Sequence, residues 1–101
     1  MIRLIVTADD ELYYRMSNKA HDPGDAFRRA RNVLEGYRMA TTEPVGGIVV
    51  DLALHAADTL VETLHSRPST SHIPLYIVEC GERLPFELRR LCTDVLESDA
   101  L

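Results

Sequence analysis

The chain has 101 residues, which suits one domain with a single core, and its 46% apolar and 27% charged residues are ordinary for a soluble globular protein. A net charge of −5 argues against a broad nucleic-acid or anionic-membrane surface, because both need a positive patch. No apolar run is long enough to span a bilayer, Met1-Ile2-Arg3 begins no signal-peptide core, and Cys80 and Cys92 lack metal-site spacing, so a cytoplasmic location is expected.

In chain order, Ile2 to Val6 reads as a short strand interrupted only by Arg3. Thr7-Ala8 and the acidic cluster Asp9-Asp10-Glu11 follow. Carboxylates at the start of a helix are favoured by capping and by the helix dipole, so a cap competes with any metal-binding reading. Leu12, Met16 and Ala20 give helical spacing to about residue 20. His21-Asp22-Pro23-Gly24-Asp25 is a turn by composition, with Asp22 as an N-cap before Pro23. From Ala26, the spacing of Phe27, Ala30, Val33, Leu34 and Tyr37 predicts one amphipathic helix to about Ala40, with Arg28, Arg29 and Arg31 on its solvated face. Gly36 weakens that helix. On this reading the second strand of an α/β domain is absent or very short. If residues 36–40 are instead that strand, the helix after it has been lost; the helix is favoured.

Gly47-Ile48-Val49-Val50-Asp51 is an unbroken apolar run ending in a carboxylate, the pattern of a strand buried on both faces. Ala57, Leu60, Val61 and Leu64 place a helix at residues 56–66. A polar loop from Arg67 to His72 leads to a strand at Ile73 to Val78, ended by Glu79-Cys80-Gly81. Pro85 to Leu91 is a helix with Phe86, Leu88 and Leu91 as buried candidates and Arg89-Arg90 exposed; Val95-Leu96 makes a last short strand. Alternating strands and helices with short loops predict a parallel sheet with right-handed crossovers.

From about Arg3 to Glu97 the sequence resembles a receiver domain, the phosphoacceptor module of bacterial two-component response regulators. The carrying segments are Ile48-Val49-Val50-Asp51-Leu52-Ala53-Leu54, Leu60 to Leu64, and Arg67-Pro68-Ser69-Thr70-Ser71-His72-Ile73-Pro74-Leu75-Tyr76-Ile77-Val78. The resemblance implies one flavodoxin-like, doubly wound parallel sheet over residues 1–101, strand order 2-1-3-4-5, with the site at the carboxyl edge. Here the second strand is weak or absent and the final helix is missing. Either the parent chain continues past Leu101 with an output domain, or a partner covers the bare sheet face.

Carried over residue by residue, Asp51 falls on the phosphoacceptor position. Thr7 and Ala8 take the places of the carboxylate pair that binds the divalent cation; a slide of two residues brings in Asp9 and Asp10 instead. Glu79 stands where a hydroxyl should hold the phosphoryl group, and would repel a phosphoaspartate. Ser98 replaces the lysine, Val95 the switching aromatic, and His55 the proline after the acceptor strand. The resemblance therefore implies a degenerate receiver that needs no cofactor and performs no catalysis. It is expected to act as a phosphorylation-independent interaction or dimerisation module through Phe86, Arg89, Arg90, Val95 and Leu96. The rival expectation is a working phosphoacceptor, with Asp51 taking a phosphoryl group from a histidine kinase and Mg2+ held by Asp9, Asp10 and Asp51. A third, an unrelated enzyme on the same scaffold, follows only from the fact that fold does not dictate function.

Other clusters read blandly. His21, Asp22 and Asp25 suit a turn and cap better than a metal site, and Cys80 with His55 suits a packed thiol better than a nucleophile and base. His65 and His72 flank a loop and read as solvated. Tyr13-Tyr14 is an aromatic contact surface or, equally, one ring packed under its helix.

Overall fold

A computed structural model of the chain describes residues 2–18, 24–79 and 85–97. Its elements are β1 (Ile2–Val6), α1 (Asp10–Asn18), β2 (Ala26–Ala30), α2 (Val33–Thr42), β3 (Val45–Asp51), α3 (Ala57–Ser66), β4 (Leu75–Glu79), α4 (Phe86–Arg89) and β5 (Asp94–Glu97). The five strands pair in parallel in the order β2-β1-β3-β4-β5, the doubly wound order expected. Between Ile2 and Arg3 the β1–β3 register shifts and Gly46 has no partner in β1, so a small residue accommodates the bulge.

Successive strand residues point to opposite faces, and the core is correspondingly split in two. One face carries Leu4, Val6, Ile48, Val50, Leu75 and Ile77 against Met39 and Ala40 of α2, Leu60, Val61 and Leu64 of α3, and Leu88 of α4. The other is smaller: Ile5, Val49 and Val78 meet Leu12 of α1, with Tyr13, Met16, Phe27, Tyr76 and Leu96 around them.

The single helix expected over residues 26–40 is corrected by the structure. A five-residue strand, Ala26–Ala30, comes first and pairs along the whole of β1. The break is at Asn32, whose extended backbone and side-chain Oδ1, accepting from the Glu35 N–H at 2.8 Å, start α2 afresh. The helical spacing of Phe27, Ala30, Val33, Leu34 and Tyr37 is a coincidence of two elements: Phe27 and Ala30 point to opposite faces of the edge strand, and Leu34 of α2 is exposed. Arg28 and Arg29 therefore sit on a strand and not on a helix face. The second strand is neither absent nor placed at residues 36–40, which belong to α2.

Gly36 sits inside α2 for a packing reason. A Cβ there would lie 3.0 Å from both methyls of Val6, so the missing side chain lets α2 settle onto β1. A second correction concerns α4. Phe86, expected inside, is 70% exposed, and Leu88 at 4% takes the inward position. Residues 19–23, with the turn at His21 and the Asp22 cap, and Cys80, Gly81 and Ser98 lie outside the described residues. No helix among the described residues is long and apolar enough to cross a membrane.

Candidate functional site

The carboxyl ends of β1, β3 and β4 converge on Asp51. As the last residue of β3 it lies between the two central neighbours and is only 4% exposed. A carboxylate so enclosed needs hydrogen-bond donors, because burying a polar group without them costs several kcal/mol. Two donors are the Thr7 hydroxyl, 2.7 Å from Oδ2, and the Ala53 N–H, 3.0 Å from Oδ1. The second bond closes the turn after β3, which continues through Ala56, at φ 62°, into α3.

Thr7 is itself fully buried. Its N–H donates to the Ala30 carbonyl at 2.9 Å, extending the β1–β2 ladder by one residue, and its Oγ accepts from the Asp9 N–H at 3.0 Å. Asp9 then caps α1, Oδ1 accepting from Glu11 N at 3.0 Å and Leu12 N at 3.3 Å. A continuous chain of bonds thus runs from the α1 cap through Thr7 to Asp51.

Asp10 is engaged elsewhere. It meets the Arg29 guanidinium at 2.6 Å and that of Arg31 at 3.4 Å. The hydrogen bond and charge of Arg29, aided by Arg31, hold the Asp10 carboxyl below its ordinary range against a smaller opposing effect of desolvation. Arg29 also lies over the Tyr13 ring, 5.2 Å from its centre, while Tyr14, edge-on to Tyr13, is 63% exposed.

Asp9, Asp10 and Asp51 therefore have separate tasks, and among the described residues no three His, Cys, Asp or Glu side chains form a group able to hold a metal ion. Both Asp51 oxygens accept hydrogen bonds, Oδ2 from the Thr7 hydroxyl and Oδ1 from the Ala53 amide.

The other sequence-derived positions are dispersed. In register Asp51 faces Val78, and strand alternation turns Glu79, one residue beyond, toward the opposite face. Ala8 and His55 are exposed, as are His65 and His72. Asp25 ion-pairs with Arg3 at 3.5 Å. Phe86, Arg89 and Arg90 are exposed near β5, where Val95 and Leu96 are half-buried on opposite faces. Cys92, a free thiol, donates to the Arg89 carbonyl at 3.4 Å; burial, assisted by Asp94, pushes its pKa up, so it is poorly suited to nucleophilic work. Sequence alignment puts Thr7 at a metal-ligand position, whereas in the structure its hydroxyl bonds Asp51. The available signal was a hydroxyl residue directly after a strand that neighbours the aspartate's own.

No family model and no curated protein matches the chain. Solved structures do. A response regulator receiver domain from Methanoculleus marisnigri JR1 superimposes with a TM-score of 0.79 at 15% identity, over 95% of this chain and 82% of that one. A response regulator described as putative, from Chloroflexus aurantiacus J-10-fl, matches with a TM-score of 0.79 at 18% identity, over 95% and 83%. The receiver domain of a signal transduction histidine kinase from Syntrophus aciditrophicus matches with a TM-score of 0.78 at 18% identity, over 95% and 76%. Together with the strand order, these likenesses show that the chain has the receiver fold.

Proposed function

We propose that this chain is a receiver-fold interaction module of two-component signalling that works in the cytoplasm without phosphoryl transfer. The observation that carries this reading is the 2.7 Å bond from the buried Thr7 hydroxyl to Asp51 Oδ2. A phosphoacceptor carboxylate needs an oxygen free to attack and a cation to neutralise the incoming phosphoryl group. Here one oxygen is tied to Thr7, while the nearby carboxylates cap α1 and pair with arginines. The same groups that would make a reactive site act as a structural seam joining β1, β3 and α1. With chemistry absent from the edge, function passes to the surface. The exposed Phe86, with Arg89 and Arg90 on the same short helix and Val95 on the face that α4 covers, offers a protein partner an apolar anchor flanked by two cations; Leu96 lies on the opposite face.

The rival reading, a working phosphoacceptor, is favoured by one observation: an aspartate still ends β3 at the sheet edge where open α/β sheets do chemistry. The two separate in one experiment. Amide resonances near Asp51 are followed while Mg2+ and beryllofluoride, a phosphoryl mimic, are added. No shift up to roughly 10 mM Mg2+, a concentration well above that of a functional divalent site, is the expected result. Saturable shifts at Asp51, Leu52 and Thr7 would establish the phosphoacceptor instead.

A further inference from the structure

Three large apolar side chains stand out into solvent among the described residues, Tyr14, Leu34 and Phe86, and Leu34 is the most exposed at 77%. It sits in the first turn of α2 at the rim of an apolar groove between α2 and α3. The groove, about 230 Å³, has Leu34 itself in its wall, together with Val33 and Tyr37 of α2 and Ala56, Thr59, Leu60 and Thr63 of the α3 side. It is roomier than the roughly 150 Å³ cavity that accepts a benzene ring, so a branched aliphatic side chain fits. The protruding leucine is thus also one wall of a groove with room for a second leucine.

We infer that this face is a two-fold interface between copies of the chain, with Leu34 of each copy seated in the α2–α3 groove of the other. An isologous contact requires a self-complementary patch, and this one is complementary in shape and in charge. α2 and α3 both lead back between parallel strands, so they run in the same direction. A two-fold axis along the groove lays α2 of one copy on α3 of the other at matching height. Leu34 and Arg38 are one turn apart and exposed on α2; Asp58 and Glu62 are one turn apart and exposed on α3. The same rotation that seats Leu34 brings Arg38 opposite Glu62, twice by symmetry. This surface is separate from Phe86 and its neighbouring arginines, so the inference does not depend on the proposed function.

Sedimentation velocity on the full chain, from roughly 5 to 500 µM, tests it, because a contact with one anchor per copy is expected to be weak. Wild type moves from monomer toward dimer mass across that range. Leu34→Asp stays monomeric throughout with an unchanged circular dichroism melt, since an acidic residue in the first turn suits α2. Arg38→Glu weakens the dimer about tenfold, and adding Glu62→Arg restores it. Phe86→Asp leaves it unchanged. A wild type that is monomeric at every concentration overturns the inference and leaves the groove to another partner; so does a dimer that survives Leu34→Asp or is lost in Phe86→Asp.

Discussion

Thr7 delivers its only O–H to Asp51 and takes the Asp9 N–H in return, so one small side chain serves as both donor and acceptor in a fully enclosed position. Its contribution is separable from its volume. Thr7→Val keeps the branched shape and deletes the hydroxyl, removing a donor from Asp51 and an acceptor from the head of α1. Loss of a buried bond of this kind costs about 1–3 kcal/mol. The urea midpoint is expected to fall accordingly, whereas Thr7→Ser, which keeps the hydroxyl, should recover most of the loss. Equal midpoints for Thr7→Val and wild type would show that Asp51 does not depend on this bond. The aspartate itself was legible in the sequence, because an apolar run broken by one carboxylate is distinctive. Its partner was not, because 44 residues separate Thr7 from Asp51 and only the adjacency of β1 and β3 brings them together.

Among the elements, the latter half of the chain and the helix over residues 33–40 were readable, and residues 26–32 were not. β3, α3 and β4 announce themselves by long aliphatic runs or by a clear apolar stripe, and the structure places them as expected. β2 is a five-residue edge strand whose arginines extend over neighbours: Arg29 over Tyr13, Arg28 paired to Glu43 at 3.0 Å. Such a strand lacks the aliphatic signal of a central one, and charged side chains on an edge also deter pairing with other chains. Gly36 weakens a helix by propensity alone, but the close approach of α2 to Val6 gives it a packing role. Alanine at position 36 gains up to about 1 kcal/mol of helix propensity. It also places a methyl 3.0 Å from two methyls of a stiff, fully buried valine, and overpacking of this kind costs about 1–3 kcal/mol. Gly36→Ala is therefore expected to destabilise by about 1 kcal/mol, the surplus of strain over propensity. In a Val6→Ala background the obstruction is gone and the same change should stabilise. A double-mutant cycle in urea measures that reversal, and the same sign in both backgrounds would refute the packing argument.

For the molecule as a whole, the unequal division of the core sets where it opens first. Among the described residues, fifteen buried side chains lie in the cluster beneath α2, α3 and α4, and four in the cluster beneath α1. Leu12 is the one residue of α1 that is buried. β2 is joined to the sheet through β1 alone, and is tied to α1 by Phe27 in the smaller cluster and by the Arg29–Asp10 pair, although its Ala30 lies in the larger one. By contrast β3 is hydrogen-bonded on both edges, and Ile48 and Val50 are buried to within 1%. Local opening draws on the regions with the fewest buried apolar contacts, and it takes neighbouring elements together. Amide exchange at increasing sub-denaturing guanidinium should therefore release α1 and β2 as one unit, well before the amides of Ile48 to Asp51 and Ile77, which exchange only on global unfolding. The Thr7 bond ties the first unit to the second. Thr7→Val is accordingly expected to lower the opening free energy of α1 amides by a larger fraction than that of β3. Simultaneous exchange of α1, β2 and β3 at every denaturant concentration would instead mean that the two clusters, despite their difference in size, open as a single cooperative body.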